Sequence, residues 1–306
     1  MSRQEQFKAK NTYVIAISSS ISSILTQIIT SPFAVVGIRQ QKSYGLELQQ
    51  KIKQCPKYVN YIDQKKFLQS CKNIYKYEGL STFFNGVKYA SFATIVGSIS
   101  MFLTYEKCLE QFNKKFNITI ASLISSLITS TFNTTLCFPF EYWKTQQQAH
   151  QGDCNLKNFA LGKRVFSAYQ VVLQRNIILQ GTWFPTSEIV KKYYKDHISN
   201  QKDAKNIIIS STIAGFFAGF VSGIITQPFD ICKNRKQLFQ EFENIRGTIK
   251  TMKIIYENEG YNGFTPGFKT RMMGITAYGS IFLCLYEFNG IVLKKYIHKQ
   301  EQYILN

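Results

Sequence analysis

The sequence predicts an all-α membrane protein of six transmembrane helices, built as three tandem repeats. Three observations predict it. Three stretches without a formal charge are long enough to cross a bilayer, a shorter uncharged stretch follows each of them, and a Pro-Phe motif closes every long stretch. The long stretches are Asn11–Ile38, Phe116–Phe140 and Asn206–Phe229, of 28, 25 and 24 residues. As helices each spans a hydrocarbon layer of about 30 Å. The competing reading is a buried helix in a soluble bundle. Three runs of this length are hard to bury in a chain of 306 residues.

Composition bounds the class without deciding it. Apolar residues make up 45% and charged residues 18% of the chain, below the roughly 25% charged of soluble domains. Mean hydropathy is nevertheless slightly negative. The long runs are rich in Ser and Thr, which suits faces packed on protein or lining a wet cavity. The formal net charge is +19, which fits nucleic acid or anionic lipid as a partner. There is no zinc-finger spacing and no basic–heptad arrangement, and the bases lie between apolar blocks. A membrane-lipid partner is therefore expected, and no nucleic acid. The seven cysteines, at 55, 71, 108, 137, 154, 232 and 284, are unpaired in spacing and indicate neither a disulfide scaffold nor a metal site. Three histidines, His150, His197 and His298, argue against a histidine-based enzyme.

Along the chain, bases before the first apolar run allow a signal peptide. The length of the run and the lack of a small-x-small cleavage site favour a first membrane helix. The motif "PFAVVGIRQQ" follows at 32–41, then an extra polar stretch over residues 42–65, read as a contact surface or a solvated insertion. A polar helix is expected near Lys66–Tyr77. "EGLSTFFNG" at 78–86 forms a turn, and Tyr89–Tyr105 is a second crossing of 17 residues. The next unit repeats the order: Phe116–Phe140, "PFEYWKTQQQ" at 139–148, a polar helix near Leu161–Gln170, and a short run at Asn176–Ser187. The third has Asn206–Phe229, "PFDICKNRKQ" at 228–237, a polar helix near Thr248–Glu257, "EGYNGFTPG" at 259–267 and Met272–Tyr286. Lys and Arg at the ends of the short runs extend their usable length by snorkelling. The units divide the chain at 1–112, 113–201 and 202–306. Glycines 215, 219 and 223, four apart, suit close helix packing.

The three motif copies resemble P-x-[DE]-x-x-[KR]-x-[KR]-x-Q of the mitochondrial carrier family. Pro228, Asp230, Lys233, Arg235 and Gln237 match throughout. Pro139, Glu141, Lys144 and Gln148 match with Gln146 at the second base, and Pro32, Arg39 and Gln41 match with Ala34 and Gly37 at the charged pair. The resemblance implies six helices in pseudo-threefold symmetry around a central cavity, in the mitochondrial inner membrane, with bound cardiolipin and no cofactor or catalytic residue. It implies helix kinks at Pro32, Pro139 and Pro228.

Acid and base three apart share a helix face, so the acid of one bent helix can meet the base of the next. The family pairing leaves Glu141 with Lys233 as a matrix gate, with Lys144 opposite Ala34 and Asp230 opposite Gly37. Gln41, Gln148 and Gln237 would brace it. Arg39 offers partial compensation for Gly37. Solute contacts are expected near Ala93, Thr182 and Gly274, with Trp183, and Lys88 and Arg271 as the nearest bases. These uncharged positions favour a small neutral or weakly charged solute. At the other end the Tyr105–Glu106 and Tyr286–Glu287 copies lack their bases, so no complementary ring is expected there. Lipid would lie near Gly79–Thr82 and Asn262–Gly263. Two functions follow: a carrier moving a small solute by alternating access, or a non-transporting subunit of a large inner-membrane complex such as a respiratory-chain assembly.

Overall fold

In the computed structural model, residues 3–53, 62–63, 66–149, 166–198, 203–242 and 244–305 are described. His150, Cys55, Cys154 and residues 161–165 of the expected middle polar helix lie outside them, as does the end of the 42–65 stretch from 54 to 61 and at 64–65. The described residues are helical with short turns. Six helices are long: α1 (Arg3–Lys53), then, after the short α2 (Phe67–Glu78), α3 (Val87–Asn113), α4 (Ile118–Ala149), α5 (Tyr169–His197) and α6 (Ala204–Leu238); the short α7 (Thr248–Glu259) precedes α8 (Phe268–Leu305). Among the described residues three segments are long and apolar enough to cross a membrane: Ile17–Leu46, Ala204–Leu238 and Phe268–Leu293.

The helices outrun the uncharged stretches, at both ends everywhere except α4, which begins at Ile118. Pro32, Pro139, Pro185 and Pro228 lie inside α1, α4, α5 and α6. The missing N–H costs one backbone bond without ending the helix, because packing on neighbours holds both halves. Residues 42–53 continue α1, so the first part of the extra polar stretch is helix, not loop. It packs on α6, with Gly45 against Arg235 and Phe239, and Arg235 over the Tyr44 ring.

Packing closes a ring. α1 lies against α3, α3 against α4, α4 against α5, α5 against α6, α6 against α8, and α8 against α1. The tightest seam is α6–α8, where a Cβ on Gly215 would lie 2.1 Å from the Gly279 carbonyl oxygen. No other residue type fits that crossing, which fulfils the expectation of close packing along Gly215, Gly219 and Gly223. α1, α4 and α6 also touch one another pairwise. They do so just beyond the prolines, where Arg39 Nε donates to the Gln148 carbonyl (3.1 Å), Gln146 Nε2 to the Gln237 carbonyl (2.6 Å) and Asn234 Nδ2 to Gln41 Oε1 (2.5 Å).

Candidate functional site

The charged residues of the repeated motif come together where these three helices meet. Lys233 of α6 reaches Glu141 of α4 at 3.4 Å. α4 and α6 are separated in the ring by α5, so this pair crosses the interior. Asp230, one turn from Lys233, is held from both sides. Arg175 Nε of α5 is 3.0 Å from its Oδ1, and Arg271 of α8 is ion-paired to its Oδ2. Arg271 is fixed further by Nη1 donating to the Gly223 carbonyl (2.6 Å) and Gln227 Oε1 (3.1 Å), and Nη2 to Thr226 Oγ1 (2.7 Å). Lys144 is within the electrostatic field of Glu141, Lys233, Arg175 and Asp230. Glu141 and Arg175 keep 29% and 21% of their side-chain surface exposed although they sit inside the ring, so the cluster is wetted. Charges that are both paired and wetted can separate at modest cost.

This arrangement corrects the expectation that Asp230 stands opposite Gly37 without a base. A Cβ on Gly37 would touch Thr270 of α8, and Asp230 takes its cations from α5 and α8. Arg175 was the missed residue. It immediately precedes the uncharged run that begins at Asn176, so counting uncharged residues places it at a boundary; the helix begins six residues earlier, at Tyr169. The offsets that align Thr182 with Ala93 and Gly274 also align Arg175 with Gly86 and Gly267. Those two glycines carry φ of +82° and +69° where a turn enters α3 and α8. Arg175 lies inside a continuous helix and points a cation inward at the same level.

Arg39 does not compensate for Gly37. It forms a two-point pair with Glu78 (2.5 and 3.0 Å), as Arg235 pairs with Glu259 (2.8 Å). The two Glu residues open the "EG" turns of the first and third units, so each second base ties its helix to the adjoining turn. Of the glutamines, Gln41 joins α6 through Asn234. Gln148 Oε1 and both side-chain ends of Gln237 are buried without a hydrogen bond among the described residues.

The expected solute contacts, Lys88 apart, each have local packing partners. Gly274 packs on Phe33, Lys88 is exposed, and Arg271 is committed to Asp230. Thr182 Oγ1 bonds back to the Ile178 carbonyl (2.9 Å) and Trp183 lies against Gly279. Ala93 offers its carbonyl to Cys137 Sγ at 3.4 Å. The other end of the bundle also departs from expectation. Lys191 of α5 pairs with Glu287 of α8 at 3.4 Å, and Ser211 of α6 donates to the same carboxylate at 3.0 Å. Lys191 thus supplies a base at this end from α5. The Glu106 side chain lies outside the described residues.

A ring of long helices around a wetted ionic cluster is an arrangement suited to a membrane transport protein, and comparison with known proteins gives the family. The family described as "Mitochondrial carrier protein" matches residues 8–116 and 205–297, more than half of the chain. The chain belongs to the mitochondrial carrier family. The middle unit falls between the two matched segments, in keeping with its divergence in sequence. Among similar proteins, mitochondrial substrate carrier family protein H of Dictyostelium discoideum is 24% identical, with 91% of this chain and 90% of that one covered. The mitochondrial thiamine pyrophosphate carrier 1 of Meyerozyma guilliermondii is 25% identical over 90% and 93%. The mitochondrial 2-oxodicarboxylate carrier of Rattus norvegicus is 25% identical over 73% and 80%. Members of this family are transporters rather than enzymes, and the long apolar helices fit a multi-pass protein of a mitochondrial membrane.

Proposed function

We propose that the chain is a carrier of the mitochondrial inner membrane that moves a small solute by alternating access. It crosses the membrane six times, as three helix pairs at 1–112, 113–201 and 202–306 around a pseudo-threefold axis. The observation that carries this reading is the inward ion pair Glu141–Lys233 at the meeting of α1, α4 and α6. It closes one end of a six-helix ring with charges that water can separate. Solute enters from the opposite side and binds midway. Parting of Glu141–Lys233 opens the closed end, while Lys191–Glu287 anchors closure at the other. No covalent step is involved. Anionic lipid, with cardiolipin first among candidates, binds the lysine-rich matrix face near Gly79–Thr82 and Asn262–Gly263.

The test is exchange. Purified protein in cardiolipin-containing liposomes, loaded with one labelled solute at a time, is expected to exchange at least one of them. No exchange with any solute, combined with native isolation only inside a large complex, would replace this reading with that of a structural subunit.

A further inference from the structure

α1 brings neither acid nor base to the gate, and it runs on past it. Ala34 and Gly37 stand where α6 carries Asp230 and Lys233. α6 ends at Leu238, ten residues after Pro228, whereas α1 continues to Lys53, twenty-one residues after Pro32. A polar helix end that stood free would be wetted all round. Residues 42–46 are not: Ser43 and Gly45 are buried, and Lys42, Tyr44 and Leu46 are half-buried. What covers them lies across the ring. The ring neighbours of α1 are α3 and α8, yet Lys42 Nζ donates to the Ala149 carbonyl of α4 (3.0 Å). Two residues on, the same helix lies against α6. Arg235 sits over the Tyr44 ring at 5.8 Å and over the Phe239 ring at 5.3 Å, and its Nη2 is 2.8 Å from Glu259 Oε2. A Cβ on Gly45 would lie 2.5 Å from Phe239 Cζ, so the backbone of α1 is seated on that ring. Leu46 packs on the apolar cluster that includes Val171, Phe239 and Phe242. One short segment thus joins α4 to α6. It lies about 8–14 Å beyond Gly37 along the helix axis.

We propose that residues 42–46 of α1 are a strap, a second closure of the gated end set outside Glu141–Lys233. The inference rests on the carrier reading and names a conformational device within it. α1 cannot draw away from α4 and α6 while Tyr44, Gly45 and Leu46 stay seated, so full opening requires the strap to leave α6. The two closures differ in kind. The inner one is an ion pair that salt screens. The outer one is a guanidinium between two aromatic rings, an apolar side chain in a cluster and one lysine-to-carbonyl bond, which salt weakens less. The share of closure that α1 lacks in charge at Ala34 and Gly37 is displaced outwards into packing.

The test follows Cys137 of the full-length chain in oriented membrane vesicles, with the other six cysteines replaced by serine. An impermeant thiol reagent is applied from the gated side. Lys233→Ala removes the inner ion pair. On that background Gly45→Val, whose side chain collides with Phe239, is expected to raise the labelling rate about fivefold or more. Tyr44→Ala combined with Leu46→Ala removes the strap's contacts without a collision and is expected to raise it likewise. Applied from the opposite side, the reagent is expected to label both strap variants at the rate of Lys233→Ala alone. Each variant is first shown to melt cooperatively. Two results overturn the inference: either strap variant fails to speed labelling, or labelling rises equally from both sides, which reports a loosened fold. Exchange in liposomes separates this inference from the carrier reading. Exchange by the unaltered chain, with labelling indifferent to the strap variants, retains the carrier and removes the strap. Strap-dependent labelling in a chain that exchanges no solute retains the strap as a plug and removes the carrier.

Discussion

Two regions of the helix ring use different forces. Where α4, α5, α6 and α8 converge, the contacts are ionic: Glu141–Lys233, and Asp230 between Arg175 and Arg271. Along α1 before Pro32 they are neutral. Gln27 Nε2 donates to Thr94 of α3 (2.5 Å), Ser23 bonds the Tyr278 hydroxyl of α8 (3.1 Å), and Asn289 of α8 donates to Ser22 (2.9 Å). The α1 side thus replaces charge with short-range hydrogen bonds, which depend on alignment and carry no long field. An ionic corner can release when water or a counter-ion arrives, whereas a neutral one holds its geometry until it is physically parted. The part of α1 before Pro32 is held by geometry, whereas the meeting of α4, α5, α6 and α8 is held by charge.

The largest test of that contrast is Asp230→Ala. It leaves two largely buried guanidiniums without an acid, a loss of ~3–5 kcal/mol by analogy with broken buried pairs. A clear fall in melting temperature of the purified protein is expected; stability matching the unaltered chain would show that the arginines are solvated independently.

Lys233→Ala comes next. Glu141 stays partly wetted, so the cost falls to ~1–3 kcal/mol. Its sharper effect is on access. Cys137, one turn before Glu141, is expected to react faster with an impermeant thiol reagent applied from the matrix side, and unchanged labelling would remove the gate role of the pair.

Gly37→Lys asks whether the ionic side can be extended onto α1. The added Cβ meets Thr270 at an ordinary 3.7 Å, and Asp230 already has two cations. A change under ~1 kcal/mol is expected, and a large gain would mean that Arg175 is a poor substitute. Smallest is Tyr278→Phe, which removes one neutral hydrogen bond and about 1 kcal/mol or less. Its difference in melting temperature from the unaltered chain should not depend on salt, whereas that of Lys233→Ala should.

The helices were legible because uncharged length and a thrice-repeated proline are strong local signals. So was the pairing of Glu141 with Lys233, since acid and base at fixed offsets on successive repeats converge wherever equivalent helices converge. What escaped the sequence was the substitution across repeats. Arg175 belongs to a different helix from the missing base it replaces, in the unit with least likeness to its neighbours, and no offset within one motif connects it to Asp230. Lys191 escaped for a similar reason, because it stands outside the motif, on an earlier turn of the same helix. The helical start of the 42–65 stretch carried no signal in the sequence, since Tyr44 and Gly45 pack on Arg235 and Phe239 of α6, a partner nearly two hundred positions away. The neutral stripe of Ser22, Ser23 and Gln27 carries no signature, because serine in an apolar helix looks the same whether it faces a partner or its own backbone.

The backbone contact between Gly215 and Gly279 constrains how any motion is shared out. Two rods that touch main chain to main chain cannot slide or rotate against each other without collision, so α6 and α8 must travel as a single lever. Rocking is left to the seam between α4 and α5, which is the thinnest in the ring. That seam lies in the unit that departs furthest from its siblings, so if the bundle rocks, the middle of the chain is where it is expected to hinge.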